Sequence, residues 1–149
     1  MLRFGIAVLA MAALALGEGF TFAIASPVAS QDFHFKAATF VFRVEGCPDP
    51  AKPQVNATAE GIVKGERRSV ALKVMPGNKP GVYAVFQSWP SEGRWVVNLT
   101  GTCASMSAGA IVPMGPKGFI RESSKFFPRP ATDTEIETSL KALAQGGNQ

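Results

Sequence analysis

The chain has 149 residues, 46% of them hydrophobic, 17% charged and 9% aromatic, with Lys+Arg 15 against Asp+Glu 11. That length suits one domain, and the composition is charge-poor against the about 25% of typical globular chains, yet not apolar enough for a multi-span membrane protein. One His and two Cys leave little for a metal cluster or a histidine-dependent catalytic group, and the mild, scattered positive balance does not make a nucleic-acid groove.

At the N-terminus, Arg3 precedes the uncharged stretch Phe4–Leu16. This is the pattern of a secretory signal, whose apolar region runs ~7–15 residues. It is shorter than the ~20 residues that cross a bilayer, and Glu18 closes it. Ala23-Ile24-Ala25 offers an A-x-A cleavage site that leaves Ser26 first. Ala15-Leu16-Gly17 is a second candidate, leaving Glu18 first. The expectation is a signal peptide over 1–25, export to the periplasm or beyond, and no membrane span after cleavage. Its removal takes away Arg3 and Glu18, so the net charge stays at +4.

Residues 26–38 read as an extended leader or edge strand carrying Asp32-Phe33-His34-Phe35. His34 is the one candidate metal ligand. A soft Cu(I) site would draw on the sulfur of Met75, Met106 or Met114, whereas a zinc site needs more His or Cys than the chain has.

Residues 39–114 read as a β-sandwich domain. Phe40, Phe42 and Val44 alternate against Arg43 and Glu45, the period of a half-buried strand. Val55–Glu60 repeats this more weakly, with a bulge or bend expected at Gly61. After a turn at 64–67, Val70, Leu72 and Val74 point inward along Ser69–Met75. Pro76–Gly81 is a strong breaker. Val82–Ser88, Arg94–Thr100 (with Trp95, Val97 and Leu99 inward) and a short Ser107–Pro113 complete six strands separated by turn signals. That spacing predicts a mainly β, antiparallel, immunoglobulin-like sandwich.

Cys47 and Cys103 lack CxxC spacing, so neither a thioredoxin-type pair nor a zinc ribbon is available. In an oxidising compartment an even pair forms one disulfide, and closing so long a loop contributes ~4 kcal/mol on the chain-entropy estimate. Residues 115–131 read as a Gly- and Pro-rich connector, with Lys117, Arg121, Lys125 and Arg129 as solvated charges. Over 132–145, Thr132 and Glu135 form a capping-box pattern ahead of Ile136, Leu140 and Leu143, which predicts a short helix docked on the sandwich.

The run Val70–Val97, with Gly81-Val82-Tyr83 and Gly93-Arg94-Trp95 at its centre, resembles the Gly-x-Tyr…Gly-x-Trp hairpin of small exported bacterial domains. These have immunoglobulin-like or transthyretin-like sandwiches and include copper-resistance-type and YtkA-like periplasmic domains. The resemblance covers about residues 40–112 and implies the sandwich fold, an extracytoplasmic setting and Tyr83 and Trp95 on neighbouring strands. It implies no activity. Where such domains carry copper they use an N-terminal histidine or clustered His and Met ligands, of which this chain has few.

No Gly-x-Ser-x-Gly elbow is present, His34 is a poor general base on a leader strand, and no pair of carboxylates stands in a hydrolytic context. The expectation is therefore a non-enzymatic binding or accessory module without a cofactor, whose partner is a protein or a cell-envelope component and not nucleic acid. Periplasmic copper handling through His34 is the alternative. Lys79, Trp89 and Arg94 in the end turns are candidate surface contacts. The sequons at Asn56 and Asn98 fall on the outward phase of their strands and are expected to be unused.

Overall fold

The computed structural model describes residues 19–27, 32–49 and 52–146. The expected signal core, Phe4–Leu16, lies outside the described residues. Ten strands and one helix follow in chain order. They are β1 (Thr21–Ala25), β2 (Phe40–Glu45), β3 (Gln54–Val63), β4 (Glu66–Leu72), β5 (Val74–Pro76), β6 (Val82–Val85), β7 (Arg94–Cys103), β8 (Met106–Gly115), β9 (Gly118–Phe119), β10 (Lys125–Phe127) and α1 (Asp133–Gly146). The smaller sheet has the order β1-β2-β6-β5. The larger has the order β10-β8-β7-β3-β4, with β9 paired to β8. Every pairing is antiparallel, and the two sheets pack together as a sandwich with a C-terminal helix.

Alternation builds the core as period-two patterning requires. β2 buries Phe40, Phe42 and Val44 between the sheets and turns Arg43 and Glu45 to solvent. Its remaining residue, Val41, is buried on the other side against Phe35, Ala38 and Ala84. From the facing sheet, Trp95, Val97 and Leu99 of β7 and Ala108, Ala110 and Val112 of β8 close the same core. Small residues on the larger sheet accept the phenylalanines of the smaller one. Burying a large apolar side chain contributes ~1.5–3 kcal/mol, so this layer carries most of the fold.

The expected leader boundary after Ala25 falls at the end of a strand. Thr21–Ala25 pairs with β2, placing Phe22 opposite Val44 and Ile24 opposite Phe42. Phe20 and Phe22 are both 4% exposed and belong to the core. Phe22 meets Phe42 edge-on at 5.5 Å between ring centroids. A Cβ on Gly101 would stand 2.8 Å from the Phe22 ring, so β7 is bare there because the Phe20 and Phe22 rings lie across it. Removing residues 1–25 would delete an edge strand and two core rings. Residues 26–38 are not simply extended either: Phe33–Phe35 forms a single 3-10 turn that buries Phe35.

Three further expectations change in the folded chain. β3 runs unbroken through Gly61, which is bare because the Trp95 ring lies against its Cα. Val70 and Leu72 share the core with Val74, but the chain crosses from the larger sheet to the smaller at Lys73. Tyr83 and Trp95 stand on strands of different sheets: β6 pairs β2 and β5, whereas β7 pairs β3 and β8. The segment between them is thus a crossover and not a hairpin turn.

The expected connector, 115–131, is part of the larger sheet. β10 pairs with β8 and forms its edge, with Phe127 opposite Gly109. Beyond it, α1 begins where the capping box places it. The Thr132 hydroxyl accepts from the Glu135 amide at 3.2 Å, and the Glu135 carboxylate accepts from the Thr132 amide at 2.9 Å. Ile136 and Leu140 bury against Val96 and Ile111 on the outer face of the larger sheet, with Leu143 packed beside them.

Candidate functional site

Asp32 and His34 are held together by local backbone geometry. The Asp32 carboxylate accepts from the His34 amide at 3.0 Å, capping the 3-10 turn, and from the Asn78 amide at 3.0 Å. Those two backbone bonds, Asn78 first, hold its carboxyl below the usual range, as expected when donors stabilise the charged form. The His34 Nδ1 lies 3.1 Å from the same carboxylate, while its ring is 78% exposed. Asp32 thus pins the 3-10 turn to the 77–81 loop, and His34 decorates it.

The sulfurs named as possible copper ligands are spread across the molecule. Met75 packs with the Phe35 cluster, whereas Met106 and Met114 pack against the main core. Among the described residues there is no group of three or more His, Cys, Asp or Glu that could hold a metal. Cys47 and Cys103 form the expected disulfide, with their Cα atoms 5.8 Å apart and a sequence separation of 56. The bridge ties the segment after β2 to the end of β7, and so joins the two sheets at one end of the sandwich.

The remaining candidates separate. Lys79 is exposed. Trp89 is only 6% exposed and packs into the core, so it is not the surface contact its turn suggested. Of the basic ladder, Arg129 is bound to Glu135 at 2.7 Å and lies over Phe127, and Arg121 lies over Phe119. Asn56 is exposed, but Asn98 is half-buried and its Oδ1 has no hydrogen-bond partner.

Arg94 and Lys125 belong to a cleft of about 950 Å³ that opens beside α1. It is lined by the end of β8, by residues of the 87–95 and 115–125 segments and by the last turns of α1. That volume lies within the ~300–1,000 Å³ of small-ligand sites. Met114, Ile120 and Leu143 supply half-buried apolar surface. Arg94 enters from β7 and Lys125 from β10, the strands on either side of β8, and both are exposed. Among the described residues no Asp or Glu lines the cleft, and neither cation has an acidic partner within ion-pair distance.

Ser139 sits in the cleft wall. It is the one buried polar residue of the described chain, 3% exposed, and its hydroxyl has no partner. A helical serine usually bonds the carbonyl one turn back, and leaving a buried hydroxyl unmade costs about 1–3 kcal/mol. Sequence patterning passes over this residue, although a signal is present. Ile136, Ser139, Leu140 and Leu143 follow i, i+3, i+4, i+7, so a hydroxyl stands in the apolar stripe.

Comparison of the chain with family models, curated proteins and solved structures finds no match.

Proposed function

We propose that the chain is an exported, non-enzymatic binding module that takes a small ligand in the cleft beside α1. The observation that carries this reading is the buried Ser139 hydroxyl, which has no hydrogen-bond partner among the described residues, in the wall of a cleft flanked by two cations that have no ion-pair partner among them. Among the described residues that line it there is no Asp, Glu, His or Cys, so Ser91, Ser123 and Ser139 have no carboxylate or imidazole in the lining to activate them. The cleft is therefore equipped to hold a ligand rather than to turn one over. The disulfide is compatible with an oxidising compartment. Because Phe20 and Phe22 are core residues, export is proposed to cut after Gly17 and not after Ala25, so that the mature chain begins at Glu18 with its edge strand intact. Among the described residues no helix is long and apolar enough to cross a membrane.

The test is the intact mass of the protein recovered from its secreting cells, read natively and again after denaturation without reductant. The expected chain starts at Glu18, is two hydrogens light, and releases a small organic adduct on denaturation. A full-length chain with free thiols overturns export. A bare native mass overturns a resident ligand, and a metal-sized adduct abolished by His34→Ala favours copper handling instead.

A further inference from the structure

We infer that the ligand of this cleft is a small organic anion with an apolar body, its acidic head held between Arg94 and Lys125. The inference rests on the cleft being a binding site and adds the class of molecule it takes. Charge decides the sign. Among the described residues the lining carries two cations and no carboxylate, and opposite charge in a concave, partly apolar site focuses the field on an anion. The last turn of α1 turns the other way, because the carbonyl end of a helix is its negative pole. That pole, near Ala142, Leu143 and Gly146, repels an acidic head and sends it toward β7 and β10. Met114, Ile120 and Leu143 then cover the apolar part, as most small-ligand pockets are lined by apolar groups with a few placed polar ones. The Ser139 hydroxyl is closed off from solvent in the free protein, so it gains the hydrogen bond it lacks as the cleft wall shifts to admit the ligand.

Ser139 makes the inference separable from a purely structural role. If its hydroxyl is spent on the ligand, Ser139→Ala relieves a buried unmade bond and weakens binding at once. Residues that merely support the fold lose both together.

The experiment is an amide-resolved NMR titration of the disulfide-bonded protein with decanoate, kept below its micelle concentration. Decyltrimethylammonium and inorganic phosphate are run as parallel probes. Saturable shifts at Arg94, Gly115, Ser139 and Leu143 are expected with decanoate alone. Arg94→Gln combined with Lys125→Gln is expected to weaken that binding tenfold or more, and raised salt to weaken it as well. Ser139→Ala is expected to weaken it severalfold with an unchanged or higher melting temperature. Equal binding of the ammonium amphiphile at the same amides overturns the anionic class while leaving the cleft a binding site. Phosphate binding as tightly as decanoate overturns the need for an apolar body. Absence of saturable shifts with every probe overturns both the class and the site.

Discussion

The two faces of the larger sheet are made of the same strands and behave differently. On the inner face Trp95, Val97 and Leu99 of β7 and the small residues of β3 and β8 share one apolar cluster with Phe20, Phe22, Phe40 and Phe42. On the outer face α1 covers only Val96, Ile111 and their surroundings. Among the described residues, the two buried side-chain atoms without a partner, Asn98 Oδ1 and Ser139 Oγ, both belong to this half-covered side. A closed face has little left to offer a ligand and carries stability. An incompletely covered one keeps unmade bonds and open volume, and so carries the candidate site.

The largest test of this division removes β1. A chain beginning at Ser26 lacks Phe20, Phe22 and Ile24. Losing a buried Phe costs about 3–5 kcal/mol, so losing two approaches the whole ~5–15 kcal/mol of a typical domain. It is expected to show no cooperative melt by circular dichroism, whereas a chain beginning at Glu18 melts cooperatively. Equal melting of the two would return the boundary to Ala25 and remove β1 from the stabilising face.

Leu140→Ala strikes the other face. Truncating a fully buried leucine costs about 2–5 kcal/mol, but here the loss should stay local, because α1 docks on a sheet already closed from its inner side. Hydrogen exchange is expected to speed up in α1 while β7 amides keep their protection. Uniform loss of protection would show that the helix is as integral to the fold as the phenylalanine core.

Much of this division is legible as pattern, and the exceptions have physical causes. Alternation exposes the inner face of β2 and β7 directly, and the Thr132–Glu135 pair marks the start of α1, because both signals are local. β8 is hard to read because two of its three core residues are Ala108 and Ala110, and because the backbone of Arg129–Ala131 crosses over Gly109. Small residues carry little hydrophobic signal even at the centre of a sheet. β1 is masked by Ala23-Ile24-Ala25, where a strand and a cleavage site share one composition. The crossover at Lys73 does not interrupt the alternation of Val70, Leu72 and Val74, so a change of sheet leaves no mark. The cleft joins residues as distant as Thr39 and Gly146, a juxtaposition only the tertiary fold creates.

Gly61→Ala sharpens the comparison at smaller scale. A Cβ at this position meets the Trp95 ring, and overpacking a closed core costs about 1–3 kcal/mol. A denaturant titration should show that loss, with a shift in tryptophan emission as the indole moves. In a double-mutant cycle with Trp95→Leu, which removes the obstructing ring, the penalty of the added methyl group should largely vanish. A penalty that survives the Trp95→Leu substitution would assign it to the strand backbone and not to packing.

The smallest effect lies on the outer face, at Glu135. The Arg129 guanidinium first, and then the Thr132 amide, hold its carboxyl down at about 2 from an ordinary 4.5. A carboxylate whose folded pKa is depressed contributes stability that is present above its unfolded value and lost as pH falls toward the folded one. Wild type should therefore exceed Glu135→Gln in melting temperature by a constant margin at neutral pH. That margin should shrink between about 4.5 and about 2. Salt should remove only part of it, because the exposed ion pair is screened whereas the bond to the Thr132 amide is a fixed cap. Amides of α1 should record the change while those of β7 do not, because Glu135 anchors only the helix that half-covers the sheet. A margin independent of pH down to about 2 would mean that the carboxylate charge contributes nothing and that the helix start is held by Thr132 alone.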